Sequence, residues 1–280
     1  MGYKTISIVI SDKESDLHAM NAAIALTQRE AGHLDVYCLG VDPVRFDAAP
    51  IAMMSALPVS TSDDVRVAAK DLVAWAEEKT RAALFPVTVQ ALMVESAGLD
   101  AAISRIVRYS DLIIASQPYG PGSTEMQVSV LEAELFGTGA PVLVVPRTER
   151  DYGHAFDRLM VAWNESAQSL EAVRKAMPAL ADADRAEIVM VDPPPHSPER
   201  SDPGGAICIM LARHGVKTDV SVLAKTMPRV SEVLNRHAQD HSNDLIIMGA
   251  YGHSRMREAL LGGATRDMLE TAQVPVMMAH

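Results

Sequence analysis

Four short strings recur along the chain in the same order. Glu14-Ser15 returns as Glu165-Ser166, and Val41-Asp42-Pro43 as Val191-Asp192-Pro193. Asp111-Leu-Ile-Ile114 returns as Asp244-Leu-Ile-Ile247, and Pro141-Val142 as Pro275-Val276. The offsets are 151 and 150 for the first two strings, then 133 and 134 for the last two. One length difference of 17 residues, in the segment 44–62 of the first copy, accounts for nearly all of the change. Ordered self-similarity of this kind constrains the architecture more than any local pattern, because each copy must fold as the same unit. A chain of 280 residues has room for two units of ordinary size.

Each copy alternates short apolar runs with helical patterns. In the first, strands are expected at 6–10, 34–39, 87–94, 112–115 and 142–145, with a long helix over 63–84. In the second, strands are expected at 159–163, 188–191, 217–223, 245–248 and 275–278, with helices over 166–181, 206–214, 229–241 and 262–271. Leu170, Val173, Met177 and Leu180 recur three or four apart, which is helical spacing. Pro193-Pro194-Pro195 excludes a helix interior and a central strand, so it is a loop. Strands apolar on both faces belong to a parallel sheet covered by helices on both sides. With right-handed crossovers, the expected fold is α/β: two tandem doubly wound five-stranded parallel-sheet domains, at 1–147 and 156–280. The stretch 147–156 is a short charged linker, so the two units are expected to pack against each other.

Composition fits this architecture. The chain is 48% hydrophobic but only 4% aromatic, so aliphatic residues and 16 Met fill the interior. Its formal charge is −11, divided as −7 over 1–148 and −4 over 149–280. An acidic surface repels nucleic-acid backbones and anionic lipid, which argues against both as partners. Cys38 and Cys208 form no CxxC pair, fall in apolar surroundings and read as buried free thiols. The apolar run at 5–10 is too short for a signal peptide or a membrane span, and a cytoplasmic location is expected.

Ligands of such sheets bind outside the carboxyl ends of the strands. In the second copy those ends read Asn164, Asp192 and Gly249-Ala-Tyr-Gly252, followed nine residues later by Gly262-Gly263. Gly249 and Gly252 allow a tight turn and close approach of backbone to a ligand. Gly262 and Gly263 open a helix whose first N–H groups lack intrahelical partners, which suits an anion. Arg255, Arg257 and Arg266 lie close in sequence and could add positive charge. Glycines after a buried strand also serve any tight strand-to-helix turn, so the spacing alone leaves both readings open.

The pattern Gly249-x2-Gly252-x9-Gly262 after an apolar strand, closed by Val274-Pro275-Val276, resembles the universal stress protein family. Leu159-Met-Val-Ala-Trp-Asn-Glu-Ser166 resembles that family's first strand and turn. The resemblance covers the chain as a tandem pair, strongly over 158–280 and more weakly over 1–146. It implies an adenine nucleotide such as ATP, ADP or AMP, held in the second domain. The implied contacts fall on Asn164, Val191, Met248, Gly249, Gly252, Gly262, Gly263 and Ala264. Asn164 stands where ATP-binding members carry Asp, so it can hydrogen-bond but has no charge. Gly263 stands where Ser or Thr is usual, and Thr265 is the residue that could replace the lost hydroxyl. In the first copy, Ser116 and Tyr119 occupy the positions of Gly249 and Gly252, and no comparable phosphate site is expected there. The resemblance further implies contact through the last strands, 142–145 and 276–278, and hence a homodimer together with pairing of the two domains.

Other chemistry has little support in the sequence. His237 and His241 are four apart on an expected helix, but the intervening Ala-Gln-Asp lacks a zinc protease's Glu. Two exposed helical histidines are the expectation, with no metal. Gly252-His253-Ser254 is not a nucleophile elbow, no Gly-Lys-Ser/Thr follows a glycine loop, and no catalytic residue is assigned. The two Glu-Ser pairs are expected to cap helices. The resemblance implies three functions as expectations: a cytoplasmic stress-response regulator that binds an adenine nucleotide, a nucleotide-free dimerising protein with a lapsed site, and a weak nucleotide hydrolase.

Overall fold

The computed structural model describes residues 2–42, 62–120, 123–193, 202–250 and 263–280. The first half runs β1 (Thr5–Ile10), α1 (Leu17–Glu30), β2 (His33–Asp42), α2 (Ser62–Thr80), β3 (Val87–Glu95), α3 (Leu99–Val107), β4 (Leu112–Ser116), α4 (Glu125–Gly137) and β5 (Val142–Val145). The second runs β6 (Arg158–Ala162), α5 (Ala167–Lys175), α6 (Met177–Asp182), β7 (Arg185–Val191), α7 (Gly205–Arg213), β8 (Thr218–Leu223), α8 (Val230–Asp240), β9 (Leu245–Gly249), α9 (Gly263–Thr271) and β10 (Val276–Ala279).

These strands form one sheet in the order β3-β2-β1-β4-β5-β10-β9-β6-β7-β8. Within each half all pairings are parallel and the strand order is the same. The halves join where β5 meets β10 antiparallel, with Val276 opposite Val144, Met277 opposite Leu143 and Met278 opposite Val142. The strands expected to make contact edges between chains therefore pair with each other inside one chain. Among the described strands, β3 and β8 are the outer edges of the sheet.

Each strand feeds both faces, as period-two geometry requires. Ile6, Ile8 and Ile10 pack beneath α1 with Leu112 and Ile114, while Val9, Ile113 and Ala115 pack beneath α3 and α4. Each such buried aliphatic side chain contributes about 1.5–3 kcal/mol. On one face the core crosses the β5–β10 seam without a break, from Leu143 and Val145 to Leu159, Val161 and Met277. The linker is more than charged: Tyr152 and Phe156 are buried in this same core, their rings edge to face at 6.4 Å. Arg29 of α1 lies over the Phe156 ring at 5.3 Å and donates from Nη1 to the His154 carbonyl at 2.7 Å. Across the seam, Tyr3 donates its hydroxyl to the Lys175 carbonyl at 3.1 Å, and Phe136 meets the His280 ring at 4.9 Å.

The expected helix over 166–181 is two helices, α5 and α6, divided at Ala176. Pro178 lies in the first turn of α6, where its missing N–H is tolerated, and in a continuous helix it would break an interior bond. The extra segment 44–61 of the first copy lies outside the described residues. Among the described residues, no helix is long and apolar enough to cross a membrane.

Candidate functional site

In the second half the strand order reverses between β6 and β9. α5 leaves β6 onto one face of the sheet, and α9 returns to β10 along the other. The register sets Ala162 opposite Val189 on one side and Met248 on the other. The carboxyl end of β6, where Asn164 follows, thus lies between Val191 of β7 and the Met248-Gly249 end of β9. β10 is parallel to β9, so α9 must start at this same edge, which brings Gly263 and Ala264 to it. Gly252 and Gly262, with Arg255 and Arg257, lie outside the described residues.

The side chains at this edge have local roles. Asn164 is exposed, and its Oδ1 accepts from the Ser166 N–H at 3.2 Å and the Ser166 hydroxyl at 2.7 Å. Ser166 is the N-cap of α5 and accepts from the Ser169 N–H at 3.1 Å, as the capping expectation requires. Between them Glu165 takes φ of +60°. Gly249 is required by packing: a Cβ there would lie 2.5 Å from the Ser169 nitrogen and 2.6 Å from the Gln168 carbonyl carbon. The end of β9 is pressed against the start of α5, and only a glycine fits. Thr265 is buried in the first turn of α9. Arg266 lies over the Tyr119 ring of the first half at 5.3 Å, and Gln117 donates to the Glu270 carbonyl at 3.2 Å. That cation is committed to the contact between the halves.

The matching crevice of the first half is filled. Ser116 ends β4 as Gly249 ends β9, and its hydroxyl donates to Asp16 Oδ1 at 2.6 Å. Asp16, 2% exposed, also accepts from the Ser11 and Asp12 N–H groups at 2.7 and 3.0 Å, and from Gln127 Nε2 at 3.2 Å. Gln127 in turn forms a reciprocal capping box with Thr124 at the start of α4 and accepts from Arg147 at 3.1 Å. Ser15 does not cap α1. Its N–H and hydroxyl go to Asp12 Oδ1 at 2.9 and 2.7 Å, and these bonds hold the Asp12 carboxyl below the usual range. A cavity of about 10 Å³ remains, lined by Asp16, Ser116, Gln127 and Glu134 among others. Glu134 is 1% exposed, and neither of its carboxyl oxygens has a hydrogen-bond partner. Burial first, and the nearby Asp16 charge second, push its carboxyl well above the ordinary value.

The histidines of α8 are not both exposed. His237 is buried, and its Nε2 lies 3.0 Å from Oε1 of Glu187 on β7. Sequence reasoning missed Glu187, since nothing in a strand pattern marks a residue 50 positions away as a partner. Both cysteines are free; Cys38 is buried, which pushes its thiol up to about 12, whereas Cys208 is only half-buried.

Residues 155–280 match the sequence model of the universal stress protein family. A universal stress protein of Synechocystis sp. is 34% identical over 68 residues, which is 24% of this chain and 23% of that protein, so the match spans about a quarter of either. A universal stress protein structure from Archaeoglobus fulgidus superposes with a TM-score of 0.70 at 13% identity, covering 98% of this chain and 95% of the other. A structure from Pseudomonas aeruginosa, described as a putative universal stress protein, gives 0.60 at 15% identity, covering 99% and 93%. These structures share the fold across both halves, and residues 155–280 are similar to the universal stress protein family in sequence as well.

Proposed function

We propose that this chain is a stress-response regulator that binds an adenine nucleotide in its second half only. The observation that carries the reading is the contrast between the two crevices. In the second half, Asn164, Val191, Gly249 and the N-terminus of α9 converge on an edge where, among the described residues, no carboxylate is buried. In the first half, the same place is filled by Glu134 and by the buried, hydrogen-bonded Asp16, whose carboxylate would repel phosphate. The exposed amide of Asn164 is suited to a base or a ribose hydroxyl, and the N-terminus of α9 to phosphate.

Thermal unfolding with ATP, ADP and AMP tests this. Ligand at about 1,000 times its dissociation constant stabilises the folded state by about 4 kcal/mol. A raised midpoint with at least one of the three supports the reading, and no shift with any of them opposes it. The rival is a nucleotide-free interaction protein. It is favoured by the local roles of two expected contacts: Asn164 Oδ1 already serves the turn, and Gly249 is accounted for by packing. Gly252→Val with Gly262→Val separates the two readings, because the rival predicts a folded protein whose cellular role is unchanged.

A further inference from the structure

At the opposite end of the sheet from the glycine loops, three side chains from two elements converge. Glu187 is the third residue of β7 and points to the face covered by α8, where Val189, Leu234 and Ala238 pack. A carboxylate in that apolar layer must be satisfied by partners. His237 Nε2 lies 3.0 Å from Glu187 Oε1, and His241 Nδ1 lies 3.2 Å from Glu187 Oε2. The two imidazoles come from successive turns at one end of α8, with ring centroids 3.9 Å apart and planes inclined at 30°. Ser221 of β8 donates its hydroxyl to Glu187 Oε1 and fixes the carboxylate from behind.

The three donor atoms lie within 4.8 Å of one another. Bonds of about 2.1 Å to a tetrahedral ion place its ligand atoms about 3.4 Å apart, close to the separations found between Glu187 and each ring. Glu187 Oε2 is buried and lacks a hydrogen bond of good geometry, although the His241 nitrogen faces it. With His241 neutral and its Nδ1 unprotonated, both atoms can turn a lone pair to an ion between them. His241 is 40% exposed on its side chain, which gives an ion a way in and leaves a position for water.

We infer that Glu187, His237 and His241 form a binding site for a divalent ion of the zinc class. Two imidazoles and one carboxylate with an open fourth position form a donor set that zinc takes in proteins, and imidazole disfavours magnesium and calcium. The site is separate from the nucleotide edge and does not depend on it.

The test uses the untagged full chain, stripped with a chelator and titrated with zinc(II) against a chromophoric competitor. Cobalt(II) is titrated in parallel as a visible probe. The expected result is one equivalent of zinc per chain, with the visible absorption of a four- or five-coordinate cobalt site. His241→Ala, at the exposed end of the cluster, is expected to weaken zinc at least tenfold while the far-ultraviolet circular dichroism is retained. Glu187→Gln is expected to do the same, and His154→Ala, a surface histidine, to change nothing. Binding that is absent, or that survives unchanged in both His241→Ala and Glu187→Gln, overturns the proposal and leaves a hydrogen-bonded His–Glu–His cluster.

Discussion

Ser116 of β4 donates its hydroxyl to the buried carboxylate of Asp16, 2.6 Å away, across the point where the strand order of the first half reverses. In the second half the residue at that place is Gly249, and what faces it is the backbone of α5 at Gln168 and Ser169. One substitution in the repeat thus coincides with a crevice closed by its own side chains. Ser116→Ala removes a hydrogen bond to a charged group, which costs about 1.5–3 kcal/mol. Asp16 keeps its donors from Ser11, Asp12 and Gln127. Urea denaturation of Ser116→Ala should show that loss, and nucleotide affinity should be unchanged because the site lies in the other half.

Glu134 is a stability defect whose size depends on pH. Its folded value is raised, so the stability it contributes is fully present below the ordinary carboxyl value and is lost as pH rises through the raised one. Glu134→Leu fills the same volume without a group to ionise. At pH 7.5 it should stabilise the protein by about 1–3 kcal/mol, the cost of leaving a buried polar group unpaired. Melting curves from pH 4 to 8 should show the advantage of the variant shrinking toward acid. An advantage that grew toward acid would reverse the assignment.

Gly249→Ala should destabilise the chain with no nucleotide present. Its Cβ would meet backbone atoms of α5 at 2.5 and 2.6 Å, and backbone cannot step aside as a side-chain tip can. Overpacking of this kind costs about 1–3 kcal/mol. A lowered melting midpoint in ligand-free protein checks it. Loss of nucleotide binding in that variant is therefore no measure of a phosphate contact at Gly249.

The repeated strings and the period of the apolar runs were enough to place the strands, because a buried parallel strand leaves a short, dense apolar signature. The division at Ala176 was less legible, since Leu170, Val173, Met177 and Leu180 keep their spacing straight through it. Only Pro178 marks the break. That 142–145 and 276–278 are contact edges could be read from the resemblance. That they meet inside one chain depends on a linker anchored by Tyr152 and Phe156, which reads as charged because Arg147, Glu149, Arg150 and Asp151 dominate it. The polar clusters were the least legible. Asp16 and Glu134 are carboxylates, which a hydropathy pattern assigns to the surface, and both are buried. Glu187 meets His237 only because β7 and α8 stack. Of the candidate nucleotide contacts, Asn164, Val191, Met248, Gly249, Gly263 and Ala264 are brought to one edge by the strand order itself.

The central claim is an unequal pair: one nucleotide site per chain, in the second half. Isothermal titration of ATP, ADP and AMP into the purified untagged chain tests it most directly, alongside a Gly262→Val variant. The account predicts one equivalent of nucleotide per chain, lost in Gly262→Val while the fold is kept. Two equivalents per chain, no binding of any of the three, or binding unchanged in Gly262→Val would contradict it.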